Sequence, residues 1–461
     1  MADEAVQRLP PEIFKAYDIR GVYGQDLDED LAEAIARAFV RVLAGLEGKP
    51  AGELRIGLGR DMRASAPSMA SRYRQGMVLE GATVVDAGMV ATEMLYYLVG
   101  SRDLDGGLMC TPSHNPKAYT GAKLLRRGAL ALSGDAGIQD VRRTIEAGLG
   151  DAPGGGHVED VDVYDDFHQH VLGFIDPGSV RPLSLVLDGS NGMAGPMVGP
   201  LMERLGLDPV TEHWEANGEF PDAGPNPLLE QNRRPIVEKV VSEGAVLGIA
   251  WDGDADRCFF IDDTGEFVAG DFLTALLADS ILRKQPGATI LYDVRASRAV
   301  PDTIERAGGK ALMNRVGHAF FKTRMREEHA AFGGEVSGHY YFHDFYCADS
   351  GTIPALLILE LLSVEGKRMA ELLEPLRAKY FISGEINTEV SDQRAKMEEL
   401  AQRYADARLT HLDGISIDYD DWHFNVRPSN TEPLLRLNLE SLVSQEHMEA
   451  KRDEVLDVIR S

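Results

Sequence analysis

Short apolar runs alternate with longer amphipathic stretches along this chain. Leu54–Leu58 reads as a strand, Pro67–Glu80 as a helix, Thr83–Asp86 as a second strand, and Gly106–Cys110 as a third that ends in a turn. The turn formers of Asp151-Ala152-Pro153-Gly154-Gly155-Gly156 predict a linker, after which the pattern restarts. Leu183–Leu187 and Val246–Trp251 are apolar strands, each running into a polar loop. A further restart begins near Phe272, with a helix to Leu282 and a strand at Thr289–Val294. From about Tyr380 the character changes: a helix over Arg394–Ala407 lies among strand-like runs such as Ile415–Tyr419 and Leu434–Leu439. Alternating strands and helices predict α/β units with parallel or mixed sheets. The fold expected is therefore α/β with four domains, three similar mixed-sheet α/β domains and a C-terminal α+β domain. The boundaries expected are 1–154, 155–263, 264–377 and 378–461.

The length supports this count, since 461 residues exceed a single core at about 100–200 residues per domain. Charge narrows the partners. Lys+Arg 47 against Asp+Glu 74 gives a net charge of -27, which argues against nucleic acid and against an anionic membrane. An anionic small molecule would need a local basic pocket. Cys110, Cys258 and Cys347 are odd in number and widely spaced, so no disulfide framework or CxxC metal pattern follows. The start, Met1-Ala2-Asp3-Glu4-Ala5, is acidic, and no apolar run approaches the roughly 20 residues that span a bilayer. A cytoplasmic protein is expected.

Four polar loops carry candidate chemistry. Thr111-Pro112-Ser113-His114-Asn115-Pro116 follows an apolar strand, where α/β folds place ligands. Ser113, beside His114 and with Lys123 ten residues on, suits a nucleophile; taken alone, the loop fits better an ordinary turn in which Ser113 and Asn115 cap the backbone. Asp252-Gly253-Asp254-Ala255-Asp256-Arg257 sets three carboxylates at alternate positions, oxygen ligands for Mg²⁺ or Ca²⁺. An EF-hand is excluded because Arg257 stands at the sixth loop position and Asp263 at the twelfth, between strand-like flanks. A solvated acidic turn is the alternative. Gly334-Glu335-Val336-Ser337-Gly338-His339 offers a carboxylate, a hydroxyl and an imidazole, which fit sugar hydroxyls or an ordinary polar turn. Arg427-Pro428-Ser429-Asn430-Thr431-Glu432-Pro433 holds the donor set for a phosphate, or a Pro-flanked turn. No Walker A pattern occurs.

Taken in this order, the four loops resemble the α-D-phosphohexomutase superfamily, whose pattern is T-x-S-H-N-P, D-G-D-x-D-R, G-E-x-S-G-H and R-x-S-N/G-T. Phe14-Lys15-Ala16-Tyr17-Asp18-Ile19-Arg20-Gly21 and Gly59-Arg60-Asp61 resemble further segments, so the likeness covers nearly the whole chain. Asn430 and Val336 are similar to the bacterial phosphomannomutase/phosphoglucomutase group, where phosphoglucosamine mutases usually carry Gly and Gln. Pro112 and Thr120 depart from the family's usual residues.

The resemblance implies four domains around a central cleft and reversible interconversion of hexose 1- and 6-phosphates through a 1,6-bisphosphate. It implies Ser113 as phosphoserine, with Mg²⁺ held by Ser113, Asp252, Asp254 and Asp256. Arg20, His114, Lys123, Arg257 and His339 are implied as catalytic, Lys123 and His339 being the acid/base candidates. Tyr17, His318, Glu335 and Ser337, with Arg427, Ser429, Asn430 and Thr431, are implied as substrate-binding. Glucose 1,6-bisphosphate or mannose 1,6-bisphosphate is the implied activator, and a monomer or weak dimer the implied state. A phosphoglucosamine mutase, a metal-dependent sugar phosphatase and a non-catalytic phosphosugar-binding protein are the alternatives.

Overall fold

A computed structural model describes residues 9–133, 137–221, 224–429 and 433–461. The described chain packs into two units, the first formed by residues 1–267 and 341–366, the second by 268–340 and 367–461.

The first unit carries a mixed sheet. Its parallel part orders Gly106–Cys110, Arg55–Arg60, Thr83–Met89 and His157–Asp160 side by side. The expected strands are thus present, and His157–Asp160 closes this sheet although it follows the 154/155 boundary set from the glycine-rich linker. Parallel pairing with Thr83–Met89 satisfies its backbone there. Tyr119–Arg126 returns antiparallel beside Gly106–Cys110, and Ile19–Val22 pairs antiparallel on its other side, Arg20 opposite Gly121. These pairings bring Arg20 and Lys123 to the strand-end loop that contains Ser113. The helix Glu29–Glu47 covers the sheet with Leu31, Ile35, Phe39 and Leu43 fully buried. Asp28 caps its start by accepting from Leu31 N at 2.9 Å, and Gly48 ends it at φ 63°.

A second sheet in this unit orders Cys258–Asp262, Leu247–Trp251, Leu185–Asp188 and Val210–Glu212. Leu247–Trp251 is buried throughout, which explains its unbroken apolar run. It pairs antiparallel with Cys258–Asp262, so the six residues between form the hairpin loop that holds the three aspartates. Tyr341 and Phe342 pair antiparallel with Asp349 and Ala348, and the apolar helix Thr352–Glu365 follows.

In the second unit, Lys310–Asn314, Thr289–Asp293 and Phe332–Gly334 form a parallel set covered by the helix Gly270–Lys284. The C-terminal part is a five-stranded antiparallel sheet, ordered Phe381–Glu389, Leu434–Ser441, Trp422–Pro428, Ile415–Asp418, Arg408–Thr410. It is backed by the helices Gln393–Arg403 and Gln445–Arg460 around a core of Leu400, Phe424, Val426 and Val455. No helix among the described residues is long and apolar enough to cross a membrane.

Candidate active site

In the first unit the nucleophile candidate sits at a strand end in a left-handed backbone conformation. Ser113 has φ 56° and is 3% exposed. Its hydroxyl lies 3.1 Å from His114 Nδ1. Thr111 Oγ1 accepts from Ser113 N at 3.0 Å and donates to Asp61 Oδ2 at 2.6 Å. Arg63 ties down the rest of the loop: its guanidinium donates to the carbonyls of Ser113 at 3.0 Å, Asn115 at 2.5 Å and Pro116 at 2.8 Å. Asp61 and Arg63 are each 1% exposed and paired at 3.4 Å, and the Phe220 ring lies 4.9 Å from the guanidinium. Burial pushes the Asp61 carboxyl up and the Arg63 guanidinium down, each opposed by the other's charge. Arg20 joins the loop by donating to Asn115 Oδ1 at 2.5 Å, and its Nε donates to Asp18 Oδ2 at 2.6 Å. Tyr17 lies half-buried in the bend before Asp18.

The aspartate loop abuts the serine loop. A Cβ on Gly253 would stand 2.9 Å from the Ser113 carbonyl oxygen and 3.0 Å from Pro225 Cβ, so only glycine permits this approach. Asp252, Asp254 and Asp256 are buried, and each offers a carboxylate oxygen within 4.8 Å of the others. Lys123 Nζ donates to Asp254 Oδ2 at 2.6 Å and to Asp256 Oδ2 at 2.5 Å. Burial disfavours this ammonium, but the two carboxylates outweigh it and raise its pKa. In this arrangement the Lys123 ammonium is held as an ion-pair partner of the two carboxylates. Arg257 donates to Asp252 Oδ2 from Nε at 2.8 Å and approaches the same oxygen with Nη2 at 2.6 Å. Burial raises the Asp252 carboxyl to about 7 against the pull of Arg257, with Asp256 and Asp254 adding to the rise.

Three converging carboxylates fit a hard divalent cation. One detail supports the fit: Asp254 Oδ1 is buried and has no hydrogen-bond partner among the described residues. An isolated carboxylate oxygen in that position is costly unless a cation shares it.

In the second unit the Glu335–His339 loop closes on itself. Glu335 N donates to the His339 carbonyl at 2.9 Å and Gly338 N to the Glu335 carbonyl at 3.1 Å. Glu335, 1% exposed, accepts from Gly317 N at 2.6 Å, and its other oxygen lies 3.7 Å from His339 Nδ1. Ser337 Oγ lies 3.2 Å from the same nitrogen, and the His318 ring stacks on His339 at 6.4 Å and 17°. The loop is pinned by Val336 N donating to Asp293 Oδ2 at 2.9 Å.

Asp293 also holds Arg295 through two parallel contacts, Nε to Oδ1 at 3.0 Å and Nη2 to Oδ2 at 2.7 Å. Arg295 Nη1 stands 3.6 Å from Glu385 Oε2, which Arg427 Nη2 reaches at 3.1 Å; Arg436 reaches Oε1 at 3.2 Å. Burial favours the neutral Glu385 acid, but the three guanidinium groups hold its carboxyl below the usual range. Burial, with Arg295 close by, lowers the Arg427 pKa, against the pull of Glu385. Three guanidinium groups against the carboxylates of Asp293 and Glu385 leave one positive charge in excess, which suits an anion. Ser429 directly follows the strand Trp422–Pro428, its N–H bonded to the Leu434 carbonyl at 2.9 Å. Asn430 and Thr431 lie outside the described residues.

Within the first unit the structure thus brings together Ser113, His114, Lys123, Arg20, the three aspartates and Arg257. Within the second it joins His318, Glu335, Ser337 and His339, and links them through Asp293, Arg295 and Glu385 to Arg427. Sequence reasoning had singled out Gly59-Arg60-Asp61 without giving Asp61 a role. It missed Arg63, two residues on, and also Asp293, Arg295 and Glu385, whose partners lie far away in sequence.

Comparison with known proteins covers the chain from end to end. The profile for phosphoglucomutase/phosphomannomutase alpha/beta/alpha domain I matches residues 11–149, domain II 165–265, domain III 269–380, and the C-terminal domain 385–458. Phosphohexose mutases of Xanthomonas campestris pv. campestris are 41% identical over 453 residues, covering 97% of this chain and 99% of theirs. A phosphomannomutase of Escherichia coli is 40% identical, covering 97% of this chain and 98% of its own. Among solved structures, a phosphoglucomutase/phosphomannomutase family protein from Burkholderia thailandensis aligns with TM-score 0.88 at 32% identity, over 98% of both chains. Three α/β domains followed by a distinct C-terminal domain are the architecture expected from the alternation of strands and helices.

Proposed function

The chain belongs to the phosphoglucomutase/phosphomannomutase family, and from that premise we propose that it interconverts hexose 1-phosphates and hexose 6-phosphates through phosphorylated Ser113. The observation that carries this reading is the packing of the Ser113 loop on the three-aspartate loop, with Asp254 Oδ1 bare beside it. A donor hydroxyl and a cation site in contact are what phosphoryl transfer needs.

Phosphoserine 113 gives its phosphoryl group to the free hydroxyl of a hexose monophosphate; the O–P bond to serine breaks as that to the sugar forms. Lys123, paired with Asp254 and Asp256, and His339 are the groups that exchange the hydroxyl proton. Arg20 and Lys123 offset the charge on the group in transit. Mg²⁺ held by Asp252, Asp254, Asp256 and a phosphate oxygen on Ser113 supplies further neutralisation when bound. Glu335 and Ser337, with His318 and Tyr17, serve the sugar. Arg427, supported by Arg295, and with Ser429, Asn430 and Thr431, serves the phosphate that is not reacting. The bisphosphate then turns end for end, and its other phosphoryl group returns to Ser113. One anion clamp serves both orientations because either end presents a phosphate.

This reading keeps one polar loop in each of four domains, 1–154, 155–263, 264–377 and 378–461. Glucose 1,6-bisphosphate or mannose 1,6-bisphosphate is the activator, and the enzyme works in the cytoplasm as a monomer or weak dimer on both mannose and glucose phosphates. Glu335 and Ser337 address hydroxyls that the two sugars share, which leaves little discrimination at C2. The test is a coupled assay from glucose 1-phosphate to glucose 6-phosphate, with and without Mg²⁺ and bisphosphate, alongside intact mass of the protein. Isomerisation with one phosphoryl adduct on Ser113 is expected. Release of inorganic phosphate, or an adduct on another residue, would overturn the proposal. Glucosamine 1-phosphate as the best substrate would overturn the choice of subgroup.

A further inference from the structure

The two carboxylate oxygens of Asp254 have different surroundings. Oδ2 accepts from Thr92 Oγ1 at 2.5 Å and from Lys123 Nζ at 2.6 Å. Oδ1 is buried with no hydrogen-bond partner among the described residues. A carboxylate oxygen has about two lone-pair sites, so two donors fill Oδ2 and leave Oδ1 open.

Thr92 holds Asp254 at two points. Besides the hydroxyl contact, its backbone N–H donates to the Asp254 carbonyl at 3.1 Å. Thr92 is 0% exposed and begins the helix Thr92–Ser101. The start of that helix is itself anchored by Glu93, which accepts from Ser350 Oγ, from Thr352 N at 3.1 Å and from Thr352 Oγ1 at 2.7 Å. The threonine hydroxyl is therefore presented from a fixed platform, and the carboxylate it meets cannot rotate without breaking that bond.

We propose that Thr92 is a specificity-determining positioning residue, which occupies Oδ2 of Asp254 so that a single oxygen faces the cation and the site selects Mg²⁺ over Ca²⁺. The inference rests on the metal assignment made above. Mg²⁺ demands near-octahedral coordination at short distance, which single carboxylate oxygens satisfy. Ca²⁺ takes six to eight oxygens and readily uses both atoms of one carboxylate, an option closed while Oδ2 is engaged. Thr92 does not touch the metal; it acts through Asp254, as outer partners of metal ligands commonly do.

The experiment is displacement of Mn²⁺ by Mg²⁺ or Ca²⁺, followed by the EPR signal of free Mn²⁺, on the full chain without substrate. In Thr92→Val, which keeps the branched volume and removes the donor, Mg²⁺ affinity should fall about 10- to 100-fold while Ca²⁺ affinity holds or rises. Thr92→Ser, which keeps the hydroxyl, should retain the wild-type ratio of the two dissociation constants. A Thr92→Val protein that weakens both ions by one common factor, or neither, overturns the proposal, and so does a Ser variant that behaves like Val. Should Thr92→Val lose its thermal transition, Thr92→Cys carries the same expectation, since a thiol is a weak donor of similar size. Mn²⁺ binding that is absent in the wild type, or unchanged in Asp254→Asn, would instead overturn the metal assignment, so the two failures are distinct.

Discussion

Replacing Arg63 with Met should loosen the nucleophile loop at a cost that can be worked from its contacts. The guanidinium makes three hydrogen bonds to the carbonyls of Ser113, Asn115 and Pro116 and is the buried counter-charge of Asp61. Removing one partner of a buried pair costs about 3–5 kcal/mol, because the other charge is stranded. Asp61 keeps its bonds from Thr111 Oγ1 and the residue-63 N–H, which favours the lower half of that range. At about 1.4 kcal/mol per decade, the ordered loop loses roughly two to three powers of ten against its alternatives. A total stability of about 5–15 kcal/mol leaves the protein folded at room temperature, so the loss should also appear in kcat with KM little changed. Denaturant unfolding of the first unit can be followed by Trp214 and Trp251 fluorescence in a Trp422→Phe background, since all three tryptophans otherwise contribute. Asp61→Asn alone should cost less, and the double variant should cost less than the two singles summed, because neither charge is then stranded. A loss under about 1 kcal/mol for Arg63→Met, or a strictly additive cycle, would refute the reasoning.

Arg427→Lys keeps a charge but loses the fork, so KM for the phosphosugar should rise before kcat falls; steady-state kinetics decide, and an unchanged KM removes Arg427 from the substrate site. Gly253→Ala places a methyl group 2.9 Å from the Ser113 carbonyl oxygen, so the two loops must separate and kcat should drop steeply; wild-type kcat would contradict the packing. Burial raises the Glu440 carboxyl to about 8 from an ordinary 4.5, although Ser297 Oγ and Arg298 N donate to it. A raised folded-state pKa makes its contribution full below about 4.5 and lost as pH climbs through about 8, a span worth a few kcal/mol. Glu440→Gln should therefore flatten the second unit's melting temperature between pH 5 and pH 8.5; an equally steep profile would show that this carboxyl does not titrate there.

Much of the site was legible because its chemistry is local. Three aspartates in five residues between two apolar runs form a hairpin loop whether or not the partner loop is known, and Ser113 sits between two prolines at the end of a strand. The parts that escaped are those that act across distance. Thr92 precedes Asp254 by 162 residues, and nothing near it in sequence marks its hydroxyl as a contact of the metal loop. Glu385 gathers Arg295, Arg427 and Arg436 from three separate segments, so its role exists only once the sheets are assembled. The pairing of His157–Asp160 with Thr83–Met89 escaped for a related reason. The glycine-rich linker was correctly read as irregular, but hydrogen bonding, not local composition, decides which sheet the next strand joins.

The left-handed backbone at Ser113 also restricts which amino acids can serve there. Threonine carries the same hydroxyl. At φ 56°, however, a second substituent on Cβ crowds the neighbouring carbonyls, and β-branched residues are genuine outliers in that region. Glycine and asparagine accept the conformation but bring no hydroxyl. Tyrosine would carry its oxygen several bonds farther from the three aspartates. The shape of one peptide unit thus decides in favour of serine among the hydroxyl-bearing residues before any question of reactivity arises.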